Sequence, residues 1–268
     1  RDRSVSRGLG DVYKRQEWDG ASALMNFVGL DNYKAIFQNE IFWKALSHNI
    51  FWILFTVFIP TIFGIILAVL LNQSFVKGRL LFRVIFYMPA IVSMVAVGIV
   101  WNWILNPEFG ILNRALKFIG LDFLAFNWLG DEHTVMWALL IAGSWVHYGF
   151  CMVITMAALS GLDACYVEAA KLEGANPVQT FFYVTLPLLK NTFTLLVLNS
   201  LIGSFKVFEI VYIMTKGGPY HSSEVISTLM YRTAFMDSEF GMGSAVAVVL
   251  SVIIAVCSAV YMKYSEKE

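Results

Sequence analysis

The chain has 268 residues, of which 58% are hydrophobic and only 14% charged. A soluble domain carries about 25% charge and about 45–50% apolar residues, so one soluble core cannot hide this surface and the bilayer is the expected solvent. The formal net charge is zero, which argues against a nucleic-acid partner, because phosphate contacts need a basic surface.

Residues 1–16 hold Arg1, Arg3, Arg7, Lys14 and Arg15 with no apolar run behind them, so they are no signal peptide. They read either as a foreign or disordered leader, similar to a translated sequencing adaptor, or as a genuine basic arm. Residues 17–44 read as an outer segment and 45–262 as a transmembrane domain, with 263–268 as a cytoplasmic tail.

Five apolar stretches are long enough to cross about 30 Å of hydrocarbon, which takes roughly 20 helical residues. They run over 45–71, 83–105, 134–158, 191–213 and 241–262. Pro60 and Pro89 fall inside the first two, and proline kinks are tolerated in membrane helices. The predicted fold is therefore an all-α polytopic membrane protein with five transmembrane helices.

The basic residues set the orientation. Lys77, Arg79 and Arg83 follow the first span, Lys171 and Lys190 the third, Lys263 and Lys267 the fifth. The alternate loops, 106–133 and 214–240, carry more acids, Glu224 among them. The positive-inside rule puts the first group in the cytoplasm, residue 30 outside and the C-terminus inside. The basic N-terminal residues then oppose the rule, so either a membrane helix is missing before Glu17 or that segment is foreign.

In the loop after the second span, Ile111, Leu112, Ala115, Leu116 and Ile119 recur at helical spacing. They predict either a short helix in the outer interface, anchored by Trp128, or a packed loop. Cys151, Cys165 and Cys257, with His48, His133, His147 and His221, are scattered without ligand spacing. No metal site, disulfide framework or cofactor is expected, and no phosphate-binding G-x-x-x-x-G-K-[ST] run is present.

The loop after the third span reads SGLDACYVEAAKLEGANPVQTFFYVTLPLLKN. Asp163 can cap a helix over about 164–172, and Gly174 can end it in a left-handed conformation, where a β-branched side chain would be expected to strain the turn and push the two helices apart. Asn176 and Pro177 then form an N-cap and first-turn pair for a second helix, which Pro187 ends. Tyr166, Phe181, Phe182 and Tyr183 beside few charges suit docking against another protein.

This segment resembles the EAA loop of ABC-importer permeases, which reads EAA, three residues, Gly, nine residues, Ile, any residue, Leu-Pro. Glu168, Ala169, Ala170, Gly174, Leu186 and Pro187 match, with Val184 replacing Ile. Sequences at 27–34 (FVGLDNYK), 82–113, 202–219 (IGSFKVFEIVYIMTKGGP) and 231–235 (YRTAF) are similar to the sugar-type, maltose-permease-like branch. The resemblance covers about 27–265 and lacks that family's first membrane helix. LSGLDACYVEAA also departs from the family's usual Ile-Pro turn before EAA.

The resemblance implies a permease subunit in a bacterial inner membrane that carries a carbohydrate or related polar solute. The implied partners are a second permease, an ATP-binding-cassette ATPase dimer and an extracytoplasmic solute-binding protein. The chain itself would do no covalent chemistry, and the EAA residues would couple it to the ATPase.

Lys206 and Glu209 fall in the fourth span, three residues apart and so on one helical face. A charge at bilayer depth costs about 2.5–3.5 kcal/mol on insertion scales and seeks a partner or water. They form either a self-satisfied pair or, with Phe205 and Tyr212 of the family pattern, part of a translocation path or of an inter-subunit contact. Trp101, Trp145 and Tyr148 could stack on sugar rings or simply pack. The competing classes are an ion-coupled secondary transporter, which calls for more intramembrane carboxylates and an internal repeat, and a membrane-embedded enzyme, which calls for a cluster of titratable groups.

Overall fold

The computed structural model describes residues 16–17, 26–73 and 76–265. The expected leader over 1–16 lies outside these residues but for Gln16, as do parts of the expected outer segment and tail. Apart from a two-residue antiparallel pairing of Gln16–Glu17 with Asn26–Phe27, the ordered elements described are helical. They are α1 (Asp31–Gln38), α2 (Glu40–Asn72), α3 (Arg79–Ile91), α4 (Met94–Ile104), α5 (Ile111–Phe118), α6 (Val135–Ser160) and α7 (Ala164–Leu172). After them come α8 (Pro177–Leu188), α9 (Lys190–Phe205), α10 (Glu209–Met214), α11 (Ile226–Tyr231) and α12 (Phe240–Ser265).

α2, α6 and α12 are each long and apolar enough to cross a membrane unbroken. The 33 residues of α2 reach about 50 Å at 1.5 Å per residue. Its start is fixed by Asn39, whose side chain accepts from the Ile41 amide at 2.8 Å. Pro60 lies inside α2 without breaking it. A proline removes the amide that would bond the carbonyl four residues back, here Thr56, and the Thr61 hydroxyl donates to that carbonyl at 2.9 Å instead.

A Cβ at Gly64 would lie 2.6 Å from the Tyr148 carbonyl oxygen and 2.7 Å from Cys151 Cβ. α2 and α6 thus cross at backbone contact, as small residues allow in lipid, where there is no hydrophobic drive between helices. On α2, Phe58, Ile62 and Ile66 face outward, and on α12 so do Val252, Val256 and Val260. Such four-residue stripes suit hydrocarbon.

The second and fourth spans are not the single helices predicted. The stretch 83–105 is two helices, α3 and α4, bent by 98°. The break falls at Val92 and Ser93, where the Ser93 hydroxyl caps the Ala96 amide; Pro89 sits within α3, so the bend is carried by the cap and not by the proline. The fourth span holds 16 helical residues in α9, about 24 Å. It breaks over 206–208 and resumes as α10.

The outer loop expected over 214–240 is not a surface loop. Residues 222–229 are buried, with Ser223, Glu224, Val225 and Ile226 fully enclosed, and α11 runs on through a π turn at Arg232–Met236. The predicted helix after the second span forms as α5. Trp128 turns inward there, donating through Nε1 to Asn113 Oδ1 at 2.8 Å, while Asn113 Nδ2 donates to the Phe126 carbonyl.

The bundle has two distinct ends. The end of α2 at Asn72 faces the 161–189 segment across a cleft, and Ser265 meets Thr194 there at 2.7 Å. At the opposite end Lys44 donates to the Tyr220 carbonyl at 3.0 Å. Ser265 and the 161–189 segment therefore share one end.

Candidate functional site

At the first of these ends, α7 and α8 form a bent pair. Asp163 accepts from the Cys165 amide at 3.0 Å and opens α7. Its close is a Schellman turn: the Ala175 amide donates to the Ala170 carbonyl at 3.0 Å and the Gly174 amide to Lys171 at 3.1 Å. Gly174 takes φ +84°, a left-handed backbone that costs a non-glycine residue about 1–2 kcal/mol. Asn176 and Gln179 then form a capping box at 2.9 Å each way, with Pro177 in the first turn.

One sequence expectation here needs correction. A side chain at 174 does not push the helices apart, because a Cβ there meets nothing within 4 Å; the backbone angle alone restricts the position. The second helix ends at Leu188, one residue past Pro187, after a π turn at Phe181–Thr185.

Glu168, Ala169 and Gly174 are exposed, while Ala170 is buried beneath them. Leu172 is 90% exposed and Tyr183 80%, with Tyr166, Val178 and Phe182 also bare. Leu172 and Val178 escaped the sequence reading, because helical phase and not composition turns them outward. A cleft of about 490 Å³ separates the pair from Val69, Asn72 and Gln73 at the end of α2.

The second candidate region is the break in the fourth span. Lys206 closes α9, Phe208 sits at φ −138°, ψ −61°, and Glu209 opens α10. The two charges therefore do not share one continuous helical face, and no ion pair joins them among the described residues. Both instead line a cavity of about 180 Å³ with Asn199, Ser200 and His147, where His147 Nε2 meets Ser200 Oγ at 2.9 Å.

The other predicted path residues lie elsewhere. Phe205 is 2% exposed and packs with Ile226, Leu229 and Val246. Tyr212 stacks on Phe208 at 5.2 Å and meets Tyr231 edge-on at 5.0 Å. Trp145 and Tyr148 line a separate apolar groove of about 220 Å³ with Trp101 and Phe63; Trp101 and Trp145 meet edge-on at 6.2 Å.

Sequence reasoning missed the buried charge at the opposite end of the bundle. Glu224 has no solvent exposure, and its Oε2 lies 2.6 Å from Arg232 Nη2 and 2.8 Å from His221 Nδ1. Arg232 Nη2 also donates to the Lys216 carbonyl at 3.0 Å. A Cβ at Gly217 would stand 2.7 Å from the Glu224 carboxylate. Nothing in the charge pattern marks Glu224, but Gly217 and Arg232 both fall in the stretches that carry the family resemblance.

Comparison with known proteins agrees with this architecture. Residues 38–267 match the family model described as binding-protein-dependent transport system inner membrane component. A probable ABC transporter permease protein, YurN of Bacillus subtilis, is 35% identical over 92% of this chain and 85% of its own length. The osmoprotective compounds uptake permease protein GgtC of Synechocystis is 33% identical over 88% and 84%. The diacetylchitobiose uptake system permease protein NgcF of Streptomyces coelicolor is 32% identical over 91% and 72%. Among solved structures, a bacterial ABC transporter involved in the import of the acidic polysaccharide alginate contains a chain of like fold, with TM-score 0.85 and 23% identity over 98% of this chain and 90% of that one.

Proposed function

The chain belongs to the family of inner membrane components of binding-protein-dependent transport systems, and from that premise we propose that it forms half of the translocation path for a carbohydrate or related polar solute. A second permease supplies the other half, a dimer of ATP-binding-cassette ATPases the energy, and an extracytoplasmic binding protein the solute. Among the relatives, uptake systems for diacetylchitobiose and for osmoprotective compounds support that solute class. Family membership leaves the ion-coupled carrier without support.

The observation that carries the coupling role is the α7–α8 pair. It is a capped, turn-locked unit at one end of the bundle, charge-poor, with Leu172 and Tyr183 bare. An exposed apolar patch of this kind marks a protein contact. The end that carries this pair and Ser265 faces the cytoplasm, where the basic residues are concentrated. Closure of the ATPases draws the pair together with α9, whose first residue follows α8 after Leu189 alone. Access at the break over 206–208 then alternates between the two sides.

ATP hydrolysis belongs to the partner chain. The test is to purify this chain alone and with its co-expressed partners and to measure ATP turnover. The expected result is turnover only in the assembly, stimulated by the loaded binding protein; turnover by the isolated chain would overturn the assignment.

A further inference from the structure

We infer that Asn49 is a positioning residue for the cavity at the break in the fourth span, fixing where Lys206 and Glu209 stand. Asn49 lies on α2 with no solvent exposure. Its Nδ2 donates to the Ser204 carbonyl at 2.7 Å, and its Oδ1 accepts from the Ile226 amide at 3.0 Å. One amide side chain thus ties the last turn of α9 to the first residue of α11. The two partners are 22 positions apart in the sequence and flank the broken segment.

The position needs such a tie. Helix ends leave backbone groups without intrahelical partners, and in hydrocarbon each unmet group is costly. α9 ends at Phe205, so the carbonyl of Ser204 has no amide to receive from the break. α11 begins at Ile226, so its amide is likewise free of a helical acceptor. An asparagine offers a donor and an acceptor on one rigid plane and meets both needs at once. An aspartate has no donor for Ser204, and a leucine has neither group.

Two further bonds converge on the same turn. Thr56, seven residues along α2, meets Ser204 Oγ at 3.0 Å, and the Ser227 hydroxyl donates to the Val207 carbonyl inside the break. Ser204, Lys206, Val207 and Glu209 all line the cavity. The direction of the two charged side chains is therefore set by backbone that α2 and α11 hold, Asn49 and Ser227 from outside the cavity and Thr56 from its wall.

This inference rests on the proposed function only for what the cavity carries; the placement of Glu209 is testable without a known solute. In a background where Cys151, Cys165 and Cys257 are replaced by alanine, Glu209→Cys is introduced and the chain is assembled with its partners in proteoliposomes. The rate of modification of the new thiol by a water-soluble methanethiosulfonate is measured. Tyr148→Cys, in the separate aromatic groove, is the control. Asn49→Leu and Asn49→Asp should each change the rate at position 209 at least tenfold and leave the rate at position 148 within twofold. Thr56→Val, which keeps side-chain volume and removes one of the tethers, should change the rate at position 209 in the same direction by a smaller factor.

Unchanged rates at position 209 in all three variants would overturn the inference. So would equal changes at positions 209 and 148, which mark general loosening of the fold. If the Asn49 variants do not assemble, Thr56→Val decides the matter by the same two criteria. The transport reading of the cavity is tested separately, with Asn49 and Thr56 left unchanged. It fails if the thiol of Glu209→Cys reacts equally fast in nucleotide-free and vanadate-trapped assemblies, whatever the Asn49 variants do.

Discussion

Arg232 sets its Nη2 nitrogen 2.6 Å from Oε2 of Glu224, a carboxylate with no solvent exposure. Removing one partner of a buried ion pair strands the other charge and costs about 3–5 kcal/mol, whereas replacing both by apolar groups is often near neutral. Arg232→Met is therefore expected to lower stability in detergent by that order, and the double variant Arg232→Met with Glu224→Met to recover most of it. Thermal melts of the four proteins of this cycle check the prediction; a double variant as unstable as the sum of the singles contradicts it.

Gly217 holds φ +85°, and a Cβ there would press on the same carboxylate at 2.7 Å. Gly217→Ala should lower the melting temperature in the wild-type chain. In a Glu224→Ala background the additional loss should be smaller, because the clash is gone and only the backbone angle remains. Neighbouring sites that share a contact are non-additive in this way, and equal losses in both backgrounds would place the strain elsewhere.

At Gly174 the backbone angle is the whole constraint, since a Cβ finds open space. Asparagine visits the left-handed region far more readily than a β-branched residue. Gly174→Asn is expected to keep ATPase association and stimulated hydrolysis near wild type, while Gly174→Val weakens or uncouples them and still inserts in the membrane. Co-purification of the ATPase and the hydrolysis rate discriminate the two; equal behaviour of both variants shows that this turn transmits nothing.

Leu172 leaves 90% of its surface bare next to Glu168 and Ala169. If the α7–α8 pair seats in a groove of the ATPase, Leu172→Glu places a charge in an apolar contact and should weaken association at least tenfold. The fold should not change, because the side chain makes little intramolecular contact. Unaltered co-purification of the ATPase would remove Leu172 from the interface.

Glu209 faces the cavity without an ion-pair partner among the described residues. Glu209→Gln keeps the size of the side chain and removes its charge, so uptake by the assembled importer should fall several-fold while the amount of inserted protein stays constant. Wild-type uptake in the variant would leave the carboxylate with no part in transport.

The protein's class, its approximate spans and the local grammar of the α7–α8 pair were legible in the residues alone. Hydropathy depends on composition over about 20 residues, and caps depend on residue types a few positions apart; Asp163, Gly174 and the Asn176–Pro177 pair all act within that range. Where two of the spans break was not legible, because it is settled by long-range packing. The 98° bend at Ser93 lies inside an apolar run, and the gap over 206–208 lies beside Lys206 and Glu209, two charges that do not by themselves say that the helix breaks. The gap persists because distant groups meet the freed backbone, as Asn49 does for Ser204 and Ile226. The same holds for Glu224: its charge counts as exposed in a linear reading, and its burial exists because Arg232, eight residues on, folds back to neutralise it. Long-range hydrogen bonds and paired charges leave no periodic trace in a sequence, and the reasons for these residues emerge only when the chain is folded.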